Sequence, residues 1–270
     1  MTQREKAETL RRYHQGPPIL VLANAWDVVS ARLVARVPGC RAIATTSAGV
    51  AWALGYPDGQ RIPRDEMLSM VERIARAVDL PVTADLEAGY GDARATAEAA
   101  VAAGAVGLNL EDGTEERDLV PVEEHCAAVE AVRAAGEAAG VPLVVNARTD
   151  VYLAGAGETD DERFELAAER LNAYLRAGAD CAFVPGVADA ATIGRLVAAV
   201  EGPLSVLAGP ATPPVAELER LGVRRVSVGP GLARAALAAA AAGAEEALGA
   251  GTFAFTRNAL AHANLNELLG

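Results

Sequence analysis

The sequence predicts an α/β fold, a (β/α)8 TIM barrel, and three observations lead to this prediction. Short apolar runs alternate with helical stretches eight times along the chain. The spacing between successive apolar runs is that of β–α–β crossovers, which join parallel strands. Eight such units in about 230 residues fit a barrel better than a doubly wound sheet, which has fewer strands. We therefore predict one barrel domain over residues 1–270, with a C-terminal helical extension over about residues 230–270.

Each predicted strand is a short apolar run that ends in a polar or glycine-rich junction. The eight runs are Ile19–Ala23, Ala42–Thr46, Pro81–Asp85, Val106–Leu110, Leu143–Asn146, Cys181–Val184, Leu204–Leu207 and Val226–Val228. The stretches between them carry apolar residues at helical spacing. The clearest predicted helices are Arg64–Ala77, Ala93–Ala103, Val122–Ala139, Asp161–Ala177 and Ala188–Val200.

Local signals define further elements. Thr159 and Glu162 have the spacing of a capping box, which opens a helix. After the eighth strand, the alanine-rich run Leu232–Ala242 predicts a helix, because alanine is the strongest helix former. The last segment, Thr252–Leu269, carries more apolar side chains than a loose tail should expose. We expect it to dock on the barrel or on a neighbouring subunit.

Composition narrows the functional classes. The formal net charge is −12 and no basic block occurs, which argues against nucleic acid or an anionic membrane surface as a partner. The apolar runs are interrupted by Gly, Pro, Arg or Asp, and the N-terminus is polar, so neither a membrane span nor a signal peptide is predicted. Three cysteines without a CxxC pair indicate reduced thiols. We expect a cytoplasmic protein.

Carboxylates directly follow two of the predicted strands. Asp85 and Glu87 follow one strand, and Glu111 and Asp112 follow the next. Carboxylates at the edge of an apolar sheet cost desolvation unless a cation pairs with them, and catalytic groups of barrels come from these strand ends. Asp85, Glu87 and Glu111 form an all-oxygen set, which suits Mg²⁺ or Mn²⁺ and not zinc. No histidine lies near a predicted strand end.

Arg148 ends the fifth predicted strand and offers a planar fork to a carboxylate. A metal on one side and Arg148 on the other would make a receptor for a small 2-oxo acid. A metal so placed would stabilise an enolate, the species formed when a bond beside the carbonyl breaks. Further polar residues at the predicted strand ends are Asn24, Asp27, Thr46, Ser47 and Asn146.

Structural roles for the same residues stay open at this point. Asp85 and Glu111 could cap the helices that follow them, because acids are favoured in a first helical turn. Arg148 could neutralise those acids as an internal ion pair. Asp58 lies in a strong turn signal, Tyr56–Gly59, and forming the turn or supporting a metal are equally compatible with its position.

A series of motifs then occurs in order along nearly the whole chain. They are Asn24–Asp27, Ser30–Arg32, Thr46–Gly49, Leu54–Asp58, Ala84–Gly91, Leu110–Asp112, Ala147–Asp150, Gly178–Asp180 and Leu221–Pro230. With these motifs the sequence resembles the isocitrate lyase / phosphoenolpyruvate mutase superfamily. The resemblance implies a barrel that exchanges a C-terminal helix within a homodimer or homotetramer. It also implies Mg²⁺ or Mn²⁺, and C–C or P–C bond chemistry of 2-oxo acids through an enolate-like species.

The resemblance also implies roles for individual residues. Asp85 would be the direct metal ligand, Glu87 and Glu111 would hold metal-bound water, and Asp58 would support them. Arg148 would clasp the substrate carboxylate. The predicted catalytic residues are Asp58, Glu87 and Arg148. The predicted substrate-binding residues are Thr46, Ser47, Ala48, Asp85, Asn146 and Arg148. The family commonly has Asp at the position of Glu87.

One departure from the family pattern bears on the activity. Isocitrate and 2-methylisocitrate lyases carry a Lys-(Lys/Arg)-Cys-Gly-His loop after the acidic pair, with the thiol as catalytic acid, whereas this chain reads Gly113-Thr114-Glu115-Glu116-Arg117-Asp118. We therefore predict a Mg²⁺-dependent carbon–carbon lyase or decarboxylase acting on a small 2-oxo or 2-hydroxy di- or tricarboxylate. Decarboxylation of the oxaloacetate type needs no thiol. The alternatives are phosphonopyruvate-type P–C bond chemistry and a non-catalytic 2-oxo acid binding protein.

Overall fold

The computed structural model describes residues 1–114 and 118–270 and confirms the predicted α/β barrel. The strand segments are β1 (Leu20–Leu22), β2 (Asn24–Ala25), β3 (Ile43–Thr45), β4 (Val82–Asp85), β5 (Gly107–Glu111), β6 (Val144–Arg148), β7 (Cys181–Val184), β8 (Leu204–Leu207) and β9 (Arg225–Ser227). Within the described residues these nine segments form one parallel sheet, in the order β1-β9-β8-β7-β6-β5-β4-β3-β2. The sheet therefore curves into a nearly closed barrel.

The seam of the barrel lies at its first strand, which was predicted as the single run Ile19–Ala23. In the structure, β1 ends at Leu22 and a second segment, β2, follows after Ala23. β1 pairs with β9, and β2 pairs with β3. The side chain of Asn24 bridges the two sides. Its Nδ2 donates to the carbonyl of Thr45 at 2.7 Å, and its Oδ1 accepts from the backbone N–H groups of Val228 and Gly229 at 3.1 and 2.9 Å. A side-chain amide thus replaces backbone pairing where the two segments diverge.

Helices surround the sheet and alternate with its strands. They are α1 (Gln3–Tyr13), α2 (Val28–Ala35), α3 (Ser47–Ala53), α4 (Arg64–Ala77), α5 (Ala93–Ala102), α6 (Val122–Ala138), α7 (Val151–Ala154), α8 (Asp160–Arg176), α9 (Ala190–Ala199), α10 (Val215–Leu221), α11 (Gly231–Glu245) and α12 (His262–Leu269). The capping box of α8 is confirmed, because Thr159 and Glu162 each accept a hydrogen bond from the backbone of the other. A π-helical turn (Glu246–Ala250) and a 3₁₀ turn (Ala254–Asn258) separate α11 from α12.

The N-terminal end of the barrel is covered by α1. Arg11 Nε and Arg133 Nη2 both pair with the carboxylate of Asp180, at 2.8 and 2.6 Å. Arg11 also donates to the carbonyls of Pro142 and Leu143, directly before β6. This end is therefore closed by helix and ion pairs, and the C-terminal end of the strands remains for a site.

Protonation of His14, which is buried after α1, is expected to contribute a loss of stability between about pH 6.5 and pH 4. Burial, aided by the charge of Arg225, lowers the pKa of His14 to about 4, against about 6.5 in an unfolded chain. Between these values the unfolded chain binds a proton that the folded chain excludes, so stability is lost as the pH falls through this window. The loss approaches about 1.4 kcal/mol per pH unit.

Urea unfolding at about pH 7 and about pH 5 measures this effect. The His14→Gln variant should lose less stability than the wild type between the two pH values, because it lacks the buried imidazole. His262→Gln, on the exposed side of α12, is the matched control and should behave like the wild type. Equal losses in all three proteins would contradict the prediction.

The C-terminal segment docks on the barrel within the chain. Leu268 is buried, and its carbonyl accepts a hydrogen bond of 2.7 Å from Nη1 of Arg32 on α2. By contrast, α11 and the turns after it remain largely exposed, with Leu237 and Phe253 each more than half accessible. In the described part of the chain, none of the helices combines the length and the hydropathy that crossing a membrane requires.

Candidate active site

A cavity of about 200 Å³ opens at the C-terminal end of the barrel. Several of the predicted site residues line it together: Thr46, Ser47, Ala48, Asp58, Asp85 and Arg148. Leu153, Phe183, Leu207 and Pro230 supply apolar wall. The cavity therefore combines carboxylates, a guanidinium group and an apolar surface in a small volume.

Asp85 ends β4, and hydrogen bonds fix both of its carboxylate oxygens. Oδ2 accepts from the backbone N–H and the hydroxyl of Ser47, at 2.9 and 2.8 Å. Oδ1 accepts from Nδ2 of Asn109 at 3.0 Å. The helix that follows Asp85 in the chain, α5, is capped by Asp92. Capping that helix is therefore not the role of Asp85, which presents a fixed carboxylate to the cavity.

Glu87 is only 3% exposed, and both of its carboxylate oxygens accept hydrogen bonds. Its Oε2 accepts from the backbone N–H of Gln60 at 2.5 Å, and its Oε1 accepts from the hydroxyl of Tyr90 at 3.0 Å. Burial, together with the charge of Asp85, raises the pKa of Glu87 to about 7. In the structure, Glu87 therefore ties the loop that carries Asp58 to the loop after β4.

The residues that join these two loops have strained backbone conformations. Gln60, Glu87 and Tyr90 all have positive φ, between 52° and 57°, although non-glycine residues rarely adopt this region. Besides the bonds to Glu87, the backbone N–H of Tyr90 donates to Oε1 of Gln60 at 2.9 Å. These mutual hydrogen bonds hold the three residues in an unfavourable conformation, and together they place Asp58 at the cavity.

Replacing Tyr90 with phenylalanine is expected to destabilise the protein by about 1–3 kcal/mol, because it leaves a buried carboxylate oxygen of Glu87 without its donor. The matched control is Tyr56→Phe, which removes an exposed hydrogen bond to Glu66 and should change stability by less than about 0.5 kcal/mol. Urea unfolding of both variants measures the difference. Equal stabilities would show that the contact between Glu87 and Tyr90 contributes nothing.

Arg148 ends β6 and is paired with two carboxylates. Its Nε and Nη2 bind the two oxygens of Asp150 at 2.5 and 2.8 Å, and its Nη1 lies 2.5 Å from Oε2 of Glu111. Burial raises the pKa of Glu111 well above its usual range, against the opposing charge of Arg148. The internal ion pair left open by the sequence is present, and the guanidinium group still lines the cavity.

Asp112 belongs to the core and not to the cavity. It is fully buried, and its Oδ2 accepts from Thr149, Arg170 and Tyr174 at 2.7, 2.8 and 2.5 Å. Its Oδ1 accepts from the backbone N–H of Asp150 at 2.8 Å. Asp112 therefore anchors Thr149 and Asp150, and the carboxylate of Asp150 in turn holds Arg148.

Asn146 lies beneath the cavity rather than on its wall. It is fully buried, and its Nδ2 donates to Oδ1 of Asn109 at 2.8 Å. The Asn146 amide therefore contacts another amide of the barrel interior. The sequence had instead predicted that Asn146 binds the substrate.

Sequence reasoning missed three residues that shape this site: Asp150, Asn109 and Arg225. Asp150 had a signal, since an acid two residues after Arg148 can form a bidentate pair. Asn109 and Arg225 are polar residues within strands, where alternate side chains point into a barrel. The predicted departure from the lyase loop falls partly on Glu115, Glu116 and Arg117, which lie outside the described residues.

The donor set fits a divalent cation. Burial raises the pKa of Asp58, of Glu87 and of Glu111, and in each case the charge of Asp85 contributes. A bound cation would stabilise the ionised form of these clustered carboxylates. Among the described residues, however, no three Asp, Glu, His or Cys side chains are close enough to ligate one ion together. The arrangement suits an ion held by one carboxylate and by water that the others orient.

Comparison with known proteins agrees with this geometry. The family model for phosphoenolpyruvate phosphomutase matches residues 10–248. An uncharacterised protein of Mycobacterium tuberculosis is 36% identical over 219 residues, which are 80% of each chain. The oxaloacetate decarboxylase of Chromohalobacter salexigens is 35% identical over 217 residues, covering 76% of this chain and 72% of the relative.

Solved structures extend the likeness to the whole chain. A Burkholderia cenocepacia protein provisionally called a lyase/mutase has a TM-score of 0.90 at 39% identity, covering 99% of this chain and 96% of its own. A phosphonopyruvate hydrolase in complex with oxalate and Mg²⁺ has a TM-score of 0.85 at 27% identity, covering 98% and 95%. The chain therefore belongs to the phosphoenolpyruvate mutase/isocitrate lyase superfamily, and the prediction of an enzyme of this superfamily is confirmed.

Proposed function

We propose that this protein is a divalent-metal-dependent lyase or decarboxylase acting on a small 2-oxo or 2-hydroxy di- or tricarboxylate, with oxaloacetate as the leading substrate. The observation that carries the proposal is the small cavity in which Asp58, Asp85 and Arg148 meet. The oxaloacetate decarboxylase at 35% identity supports the choice of substrate.

Mg²⁺ or Mn²⁺ would be held by Asp85 directly, and by Glu87 and Glu111 through water, with Asp58 in support. When bound, the ion supplies stabilisation of the negative charge that develops on a carbonyl oxygen when the neighbouring bond breaks. Ser47 and Asn109 fix the plane of the Asp85 carboxylate before any ligand arrives.

The remaining groups bind and orient the substrate. Asp150 and Glu111 hold the Arg148 guanidinium group in place, where it would bind the substrate carboxylate. Thr46, Ser47 and Ala48 would receive the 2-oxo acid on the floor of the cavity. Phe183 and Leu207 form part of the apolar wall and would exclude water from the developing charge. A volume of about 200 Å³ admits only a small substrate.

A second candidate is P–C bond chemistry on phosphonopyruvate, which the likeness to a phosphonopyruvate hydrolase favours.

Pyruvate release from oxaloacetate, 2-methylisocitrate and phosphonopyruvate tests both candidates in one coupled lactate dehydrogenase assay. Each substrate is run with Mg²⁺, with chelator, and without enzyme at the same Mg²⁺ concentration. Metal-dependent turnover of oxaloacetate supports the leading proposal, and turnover of phosphonopyruvate alone replaces it with the second. No turnover of any substrate favours a binding protein.

We also propose that the chain folds as one domain over residues 1–270 and works as a homodimer or homotetramer that exchanges a C-terminal helix. The exposed α11 is the candidate for this exchange, because α12 docks on α2 of its own chain. The exposed apolar side chains of Leu237, Leu248 and Phe253 support assembly, because a partner subunit would cover them. Light scattering tests this, and a monomeric mass would contradict it.

The free thiols of Cys40, Cys126 and Cys181 support a reducing, cytoplasmic location.

A further inference from the structure

A buried arginine reaches across the barrel interior beneath the cavity. Arg225 lies on β9 and is 1% exposed. Its Nη2 donates to Oδ1 of Asn109 at 3.1 Å. Asn109 lies on β5, four positions from β9 in the sheet order, so the contact joins opposite sides of the barrel. Burial lowers the pKa of Arg225 to about 10, and the group remains charged near neutral pH.

This contact fixes which end of the Asn109 amide faces Asp85. Oδ1 of Asn109 accepts from both Arg225 and Asn146, at 3.1 and 2.8 Å. Its other end, Nδ2, must then point to Oδ1 of Asp85, where it donates at 3.0 Å. A reversed amide would place an oxygen against the Asp85 carboxylate and an NH₂ group against two donors. Arg225 thus determines the hydrogen bond that Asp85 receives.

A contribution to folding stability does not by itself explain why an arginine is buried at position 225. A buried guanidinium group costs desolvation unless its donors are satisfied. Among the described residues, Nη1 of Arg225 has no hydrogen-bond partner. Polar groups that break the rules of core packing are found where function needs them.

We infer that Arg225 is a positioning residue, which acts through Asn109 to hold the Asp85 carboxylate in the orientation that binds the divalent cation. The inference rests on the proposed function, in which Asp85 is the direct ligand. Residues that orient a metal ligand typically change metal affinity or activity 10- to 100-fold when they are replaced.

Mn²⁺ binding to the full-length protein, followed by electron paramagnetic resonance of the free ion, tests the inference. The variants are Arg225→Met and Asn109→Leu, which remove the two links in turn. Each should raise the Mn²⁺ dissociation constant about 10-fold or more. Removing a positive charge would by itself strengthen cation binding, so weaker binding in Arg225→Met reports positioning. Ser205→Ala is the matched control, because Ser205 is the buried strand neighbour of Arg225 and has no hydrogen bond to Asn109.

The outcomes separate the inference from the proposed function. If the wild type binds no Mn²⁺, or if Asp85→Ala binds it equally well, the proposed function fails. If Asp85→Ala loses binding while a folded Arg225→Met or Asn109→Leu binds like the wild type or more tightly, the positioning role is overturned. Thermal unfolding confirms that each variant is folded, since a purely structural role would lower the Tm without changing the dissociation constant. Should Arg225→Met fail to fold, Asn109→Leu decides.

Discussion

Replacing Asp85 with alanine is expected to lower metal-dependent pyruvate release about 1000-fold or more. Asp85 is the one predicted metal ligand whose carboxylate lines the cavity, and metal stabilisation of developing charge contributes several kcal/mol, with a factor of ten for each 1.36 kcal/mol. The coupled assay with Mg²⁺ measures the loss.

Two further variants make this result specific. Asp92→Ala is the matched control, because Asp92 caps α5 and accepts from the backbone N–H of Ala95 outside the cavity. It should lose about 1 kcal/mol of stability and keep its activity. Asp85→Asn retains the shape and can still accept from Ser47, and it should also be inactive because the charge is gone. An Asp85→Ala variant with near-normal turnover would remove Asp85 from the mechanism.

Replacing Asp112 with alanine is expected to cost about 3–5 kcal/mol of stability. The change leaves Arg170 buried without its counter-ion, and breaking a buried ion pair on one side carries a cost of this size. It also removes the acceptor of the buried Tyr174 hydroxyl. Since domains are stable by about 5–15 kcal/mol, urea unfolding should show a large shift of the midpoint.

The control for this prediction is an exposed ion pair. Asp160 pairs with Arg163 at 2.8 Å, but its side chain is 98% exposed, so Asp160→Ala should change stability by less than about 1 kcal/mol. If Asp112→Ala lost no more stability than Asp160→Ala, the buried network around Asp112 would be energetically unimportant.

The order of strands and helices was predictable because each strand is a short apolar run with a polar end. The bounds predicted for Cys181–Val184, Leu204–Leu207 and Arg64–Ala77 are those of the structure. The second segment of the first strand, β2, was not predicted, because it depends on hydrogen bonds that the Asn24 side chain donates to Thr45 on β3 and accepts from Gly229 after β9. The short helices α3 and α7 were also missed, since they are too brief to show helical periodicity.

The position of the site was predictable for a similar reason. Polar residues that end parallel strands meet at one end of a barrel, and Ser47, Asp85 and Arg148 do so. What each side chain bonds was not predictable. The contact of Glu87 with Gln60 joins residues 27 positions apart in the chain, and the contact of Arg225 with Asn109 joins residues 116 apart. The spacing and periodicity of residues along the sequence carry no information about which distant side chains contact one another.

A crystal structure of the protein with Mg²⁺ and oxalate would test the metal site most directly. Oxalate carries two adjacent carboxylates and resembles the enolate of a 2-oxo acid in charge and shape. We expect one ion bound to the Asp85 carboxylate at about 2.1 Å, chelated by oxalate, with an oxalate carboxylate against Arg148. Oxalate bound without an ion, or an ion bound away from Asp85, would contradict the proposed site.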